Sequence, residues 1–280
     1  MSAQPQQADR GSVGRLVVCP TPIGNLGDVT LRVLDTLREA DAIACEDTRR
    51  TRVLLDRYEI AGTLVSYHEH NERERARELV GRIQRGAIVA LVSDAGMPLV
   101  SDPGYALVQA CVTAGVPVEV LPGPSSVLVA VVASGLPAER WLFVGFLPRR
   151  RAELELVLLD APDTLVAFES PRRLVATLLV LAEHDPTRPA VVCRELTKLH
   201  EEVRRGSAAE LAAHYEANPA RGEIVLVVGA AALERASHDE ALTALRALVD
   251  AGARARPAAG VLAKLTGVSA NELYRELTGA

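Results

Sequence analysis

The sequence predicts an α/β fold, and three stretches predict it: each is a short apolar run that ends in a Gly/Pro loop and passes into a helical pattern. AIVALV at 87–92 reads as a strand buried on both faces and runs into SDAGMPLVSDPG at 93–104. LVVC at 16–19 runs into PTPIGNLGDVTLR at 20–32, and a third strand opens VEVLPGPSSVLVAVVASGLP at 118–137. Open α/β sheets bind ligands outside the carboxyl ends of their strands, so three such loops on one sheet edge imply a pocket. Within 93–104, Gly96 and Gly104 open backbone angles closed to other residues, while Asp94 and Asp102 could accept hydrogen bonds from a ribose or an amine. Taken alone, the same loop also reads as a tight turn with capping Asp and Ser.

The remaining elements follow from periodicity and punctuation. After the first loop a helix opens near Asp28 or Thr30, with Leu31, Leu34 and Leu37 at three-residue steps beside Val33 and Ala40. That loop lacks the G-x-G-x-x-G and P-loop spacings, which argues against nucleotide phosphate binding there. DAIAC at 41–45 is a strand, and NERERARELVGRI at 71–83 is a surface helix of mixed charge. In the second half LFVGF at 142–146, TLVAF at 164–168, AVVC at 190–193 and EIVLVV at 223–228 read as strands with helices between several of them, so part of that sheet is expected to be parallel. Beyond Gly229 the chain turns Ala-rich and helical: one helix over about 239–251, a second started by Pro257 and punctuated by Gly267, and a third over about 270–277. The expected domains are a polar tail at 1–14, α/β domains at 15–122 and 123–232, and a helical extension at 233–280. VLAKLTGVSANELYREL at 261–277 has helix-turn-helix spacing and reads equally as a plain helical cap.

Composition narrows the class. The chain has 280 residues, 49% hydrophobic but only 3% aromatic, so Val, Leu, Ile and Ala must build its core. Its longest apolar stretches, such as VLVAVVA at 127–133, fall far short of the roughly eighteen residues a membrane span needs. The polar start has no signal-peptide core, and a cytoplasmic protein is expected. Cys19, Cys45, Cys111 and Cys193 have no metal-ligand spacing and read as buried reduced thiols. His68 and His70 flank Glu69 without a third ligand at helical spacing, so no metal site is expected. The formal net charge of −5 opposes a nucleic-acid partner only on average. Arginines cluster at Arg49, Arg50 and Arg52, at Arg149, Arg150 and Arg151, at Arg172 and Arg173, and at Arg204 and Arg205. Each cluster alone reads as a solvated face; together, near the loops of the pocket, they suggest a phosphate-binding rim.

In this order, PTPIGNLGDVTLR, EDTRRTR, SDAGMPLVSDPG, LPGPSS, GFLPRRR, ESPRR, RELTKLHEE and GEIVLVVG resemble the tetrapyrrole methylase superfamily, from about Leu16 to the end of the chain. Within it they are similar to the branch that methylates a cytidine 2′-hydroxyl in the decoding region of 16S ribosomal RNA. Thr21 to Asn25 and Ser93 to Gly96 stand where porphyrin-modifying members more often carry G-x-G-P-G-D and S-G-D-P. The resemblance implies two α/β domains with an S-adenosylmethionine cleft between them, a homodimer, and the small ribosomal subunit as partner. By the same resemblance Pro22, Asp94, Ala95, Gly96, Pro98, Ser101, Asp102, Ser125 and Ser126 line the donor cleft, with Phe146, Phe168 and Glu223 near it. The rival readings are a methyltransferase acting on a tetrapyrrole precursor and a non-catalytic RNA-binding protein.

A ribose hydroxyl is a weak acid, so transfer calls for a general base or a pKa-lowering environment. The candidates are Glu46 and Asp47 in CEDTRR, Glu169 in FESPRR, and Arg194, Glu195 and Lys198 in RELTK. Each has a structural alternative: Glu46 and Asp47 could simply pair with Arg49 or Arg50, and RELTKLHEE could be an ion-pair network. The chain departs from the family pattern at Met97, where Thr is common, at Arg172, where His is common, and at Arg149 to Arg151, which replace a Lys-rich run.

Overall fold

The computed structural model describes residues 13–159, 161–231 and 238–279. Its first sheet holds β1 (Arg15–Cys19), β2 (Ala42–Cys45), β3 (Leu64–Ser66), β4 (Ile88–Val92) and β5 (Val118–Val120). All pairings are parallel, in the order β3-β2-β4-β1-β5. Between the strands run α1 (Leu31–Glu39), α2 (Thr48–Arg57), α3 (Glu72–Gln84) and α4 (Tyr105–Thr113). Because side chains alternate across a strand, Val17 and Cys19 join one core with Leu34 and Leu55, while Leu16 and Val18 join another with Leu79 and Leu107. A sheet covered on both faces needs continuous apolar strands, which is why AIVALV and LVVC carry almost no polar residue.

α5 (Ser126–Ser134) then leads to the second sheet: β6 (Trp141–Phe146), β7 (Thr164–Glu169), β8 (Pro189–Arg194), β9 (Glu202–Ser207) and β10 (Ile224–Val228), in the order β6-β7-β10-β8-β9. Only β6 and β7 pair in parallel; the other three pairings are antiparallel. The helices α6 (Arg151–Leu159), α7 (Leu174–His184) and α8 (Ala208–Ala217) cover one face. α5 covers the other, its Val127, Ala130 and Val131 packing on Val166, Val191, Val225 and Val227. β10, apolar at every position, is the central strand and feeds both cores.

Two strands escaped the sequence reading. β3 is three residues long, and β9 reads EVRRGS, with its arginines solvent-facing. Both are sheet edges, where short length and charge discourage pairing with another chain and erase the apolar signal.

The described residues through Ala230 form one compact unit holding both sheets, and those from Ala231 onward form another. The second unit packs α9 (His238–Asp250), α10 (Ala255–Thr266) and α11 (Ala270–Thr278) around Leu245, Leu262 and Leu273. Pro257 sits in the first turn of α10, where its missing N–H costs nothing, and Gly267 closes that helix at φ +75°. Of the expected boundaries, 122/123 falls in the loop between β5 and α5; 232/233 and most of the tail at 1–14 lie outside the described residues. Among the described residues no helix is long and apolar enough to cross a membrane.

Candidate active site

The loops at the carboxyl edge of the first sheet are tied together through the main chain. Thr21 and Gly96 exchange N–H···O bonds of 2.9 Å in both directions, and the Thr21 hydroxyl donates to the Ser93 carbonyl at 3.0 Å. Gly96 holds φ +79°, and a Cβ there would press within 3.3 Å of Ile23. Leu99 (φ 72°) and Ser101 (φ 64°) also adopt left-handed backbone, which costs a non-glycine residue about 1–3 kcal/mol. Such strain persists only where the surroundings fix it, and it lies in the loop that the sequence singles out for ligand binding.

The second sheet supplies side chains. All three phenylalanines of the chain meet here: Phe168 lies 5.1 Å from Phe143 and 5.3 Å from Phe146, centroid to centroid. Phe146 is nevertheless 65% exposed, an aromatic face held open toward solvent. The turn after β8 is built on Glu195 (φ 50°) and Thr197 (φ 64°). Glu195 accepts from the Glu223 N–H and from Lys198 Nζ, both at 2.9 Å, and Lys198 reaches Glu223 at 3.0 Å. Gly222 lets Glu195 in, since a Cβ there would lie 2.3 Å from its carboxylate. The two halves touch where the Asn25 N–H donates to the Thr197 hydroxyl at 3.1 Å.

Between these two sets of loops lies a cleft of about 360 Å³. Seven residues expected at the donor site line it: Ala95, Ser101, Asp102, Ser126, Phe146, Phe168 and Glu223. The other five stand outside its wall. Gly96 pairs with Thr21, Ser125 caps α5 through the Leu128 N–H, and Asp94 accepts from the Asp47 N–H at 3.0 Å; Pro22 and Pro98 flank the Thr21–Gly96 bridge in sequence. Sequence reasoning missed Ile23, Cys193, Leu196 and the β10 residues Ile224 and Val225, which are apolar and indistinguishable in sequence from core.

Residues 15–212 match the family described as Tetrapyrrole (Corrin/Porphyrin) Methylases. The chain is 49% identical over 271 residues to the ribosomal RNA small subunit methyltransferase I of Mesorhizobium japonicum, covering 94% of this chain and 90% of that protein. It is 42% identical over 280 residues to the protein of the same name from Escherichia coli O157:H7, covering 97% of each. This chain belongs to the tetrapyrrole methylases, in the branch of ribosomal RNA small subunit methyltransferase I. Among solved structures, the uroporphyrin-III-C-methyltransferase of Thermus thermophilus superposes with a TM-score of 0.57 at 26% identity, covering 77% of this chain and 94% of that one. The cobalt precorrin-4 methyltransferase shares the fold at a TM-score of 0.60 and 19% identity, covering 80% of this chain and 98% of that one.

In this tetrapyrrole methylase the six catalytic candidates are placed very differently. Asp47 is the N-cap of α2, accepting from the Arg49 N–H at 2.8 Å, and the Arg49 guanidinium beside it holds its carboxyl down at about 2. The structural alternative therefore describes Asp47. Glu46 is exposed; partial burial and then the Asp94 carboxylate push its pKa up. Glu169 is 3% exposed and lines the cleft, with Oε1 accepting from Ser170 N–H at 2.7 Å and Oε2 from the Thr177 hydroxyl at 2.6 Å and Arg173 at 3.2 Å. Arg194 pairs with Glu202 at 3.1 Å, away from the cleft wall. Partial burial pulls the Lys198 ammonium down, but Glu195 and Glu223 outweigh it and hold it above its ordinary value. Burial pushes the Cys193 thiol up to about 11, so the one cysteine on the cleft wall is inert, and all four cysteines are buried and unpaired.

The arginines divide in the same way. Arg173 donates to the Leu147 and Pro148 carbonyls, holding the chain just ahead of the Arg149–Arg151 run. Arg151 bridges Glu155 and Glu183, Arg205 holds the carbonyls of Ala133 and Ser134, and Arg204 pairs with Glu202. Arg49 is spent on Asp47, Arg150 on Glu153, and Arg50 lies 3.5 Å from Asp94. Arg149 and Arg172 are exposed and have no ion pair among the described residues.

Proposed function

We propose that this chain transfers a methyl group from S-adenosylmethionine to the 2′-hydroxyl of a cytidine in 16S ribosomal RNA, within the decoding region of the small subunit, in the cytoplasm. One observation carries the reading: a cleft of donor-sized volume, with the loops of the first sheet on one wall and phenylalanines and carboxylates on the other, is lined by Phe146 and Pro171, and close by in sequence stand Arg149 and Arg172, exposed and without an ion pair among the described residues. The donor presents an aromatic adenine, a polar ribose and a cationic sulfonium. Phe146 and Phe168 suit the first, the Ser101 and Ser126 hydroxyls the second, and the Asp102 and Glu223 carboxylates the third. The donor's chemical contribution is an electrophilic methyl group on sulfur.

Cations without an ion pair among the described residues suit a phosphate backbone. A homodimer agrees with α5, which is apolar all round and leaves Leu128, Val129 and Val132 exposed.

The deciding experiment is transfer of labelled methyl to small ribosomal subunits from a strain lacking the modification, followed by mapping of the alkali-resistant ribose. One 2′-O-methylcytidine in the decoding region is expected. Donor binding without transfer to the subunit would overturn the RNA reading and move the search to tetrapyrroles.

A further inference from the structure

We infer that Arg173, anchored on buried Glu169, is a positioning residue of the transfer: it fixes the exit of β6, which carries Phe146 on the cleft wall and leads into Arg149; the inference rests on the methyltransferase reading above. In sequence Arg172 and Arg173 form one basic pair, but in the fold the two side chains part. Arg172 is exposed, whereas Arg173 turns its guanidinium onto the main chain, Nη1 donating to the Leu147 carbonyl at 3.1 Å and Nη2 to the Pro148 carbonyl at 2.6 Å. Nη2 also lies 3.2 Å from Glu169 Oε2, so a buried carboxylate balances its charge. A guanidinium satisfied in this way has little left to offer a phosphate.

The segment needs this hold because the β6–β7 ladder gives out there. Its register slips between Phe143 and Phe146, at a bulge where Gly145 takes φ 67°. Beyond the bulge the Leu147 N–H reaches the Phe168 carbonyl at 3.2 Å, and Pro148 has no N–H with which to continue. Phe146 rests on Phe168 and is otherwise largely exposed, so packing sets its aim only weakly. The anchor on the other side is rigid. Glu169 accepts the Ser170 N–H on Oε1 at 2.7 Å and the Thr177 hydroxyl on Oε2 at 2.6 Å, and the Ser170 carbonyl accepts from the Arg173 and Leu174 N–H groups at 3.0 and 3.1 Å. Glu169, Ser170 and Pro171 themselves line the cleft.

One guanidinium therefore ties two stretches of the same wall, 146–148 and 169–171, through two carbonyls and a carboxylate. It does so because it offers five donors in a fixed fork, which an ammonium of equal charge does not. Methyl transfer requires the acceptor oxygen in line with the carbon–sulfur bond, and a displacement of about 1 Å costs about 10²-fold in rate. Loosening the exit of β6 shifts Phe146 against the donor and Arg149 against the RNA together, so the loss persists when both substrates saturate.

The test is single-turnover transfer to unmodified small subunits, with S-adenosylmethionine and subunit both saturating, by the full chain, by Arg173→Lys and by Arg173→Ala, each checked for folding by circular dichroism. Both variants should transfer about 100-fold more slowly than the wild type, although the first keeps the charge. The Arg173 side chain is 31% exposed, so guanidinium ion can enter the space it leaves. At millimolar concentration that ion should restore transfer by Arg173→Ala at least about tenfold, and methylammonium, of equal charge, should not. Arg173→Lys at the wild-type rate would overturn the inference, because charge alone then suffices and Arg173 returns to the phosphate rim. A folded Arg173→Ala that guanidinium does not rescue would overturn it as well. Should Arg173→Ala not fold, the milder Arg173→Lys decides alone. Failure of the wild type to transfer at all sinks both readings, whereas transfer that ignores Arg173 sinks this one alone.

Discussion

The two sheets build opposite walls of one cleft by opposite means. The first is wholly parallel, and its wall, with Ala95, Ser101 and Asp102, is shaped by backbone: the Thr21–Gly96 bridge outside the wall and left-handed Leu99 and Ser101 in the loop itself. The second is mostly antiparallel, and its strands project Phe146, Phe168, Glu169 and Val225 directly into the space. A backbone wall is set by where glycine and proline fall; a side-chain wall is set by pairs that hold each group in place. The first tolerates many side chains but few changes of backbone angle, and the second the reverse.

That contrast can be broken most sharply at its glycines. Gly222→Val drives a side chain into Glu195 at a φ of +83°, and a loss of about 3 kcal/mol is expected in denaturant titration. Gly96→Ala, behind the backbone wall, meets Ile23 at 3.3 Å and the Pro124 carbonyl at 3.7 Å and should cost about half as much, almost all of it backbone strain. Equal losses would erase the distinction. Next in size, Thr177→Val takes from buried Glu169 its 2.6 Å hydroxyl partner at nearly constant volume. A drop of about 2 kcal/mol is expected, and a silent variant would show that Arg173 alone satisfies the carboxylate.

Smaller still is the pH response of Asp102. Its folded value of about 6 lies above the unfolded value of about 3.9, so between the two the folded chain binds more protons and stability falls as pH rises. Asp102→Asn should therefore melt higher than wild type at neutral pH, by about 1 kcal/mol after solvent screening, and the gain should vanish below about pH 4. The smallest effect on stability belongs to the rim. Arg149→Ala and Arg172→Ala should change stability by less than about 0.5 kcal/mol. Each should weaken subunit binding and lower its salt slope by about one; an unchanged slope would place the RNA elsewhere.

The backbone wall was the more legible of the two in sequence. Gly, Pro and Asp crowded after an apolar run mark a loop whatever the rest of the chain does, and 20–25 and 93–104 stand where those residues put them. The side-chain wall was only half legible. Phe146, Phe168 and Glu223 came from family likeness, but Cys193, Ile224 and Val225 look like any buried strand, because nothing local records which face of a strand meets a cavity. The charged segments were harder to read for a related reason. Asp47, Arg151, Arg173 and Arg205 carry the residue types of a functional site, and only the folded chain shows them spent on caps, ion pairs and carbonyls. β9 was invisible because an edge strand is selected for charge rather than apolarity.

The doubly bonded Thr21–Gly96 bridge also bears on how such proteins diversify. Replacing a side chain leaves main-chain amides and carbonyls where they were, so a frame made from them survives most point mutations. The strand-borne residues opposite carry no such protection, and each exchange there reshapes what the cleft will accept. A lineage built this way keeps the backbone frame of its cleft almost unaltered, while new fits arise through the side chains of the opposite sheet.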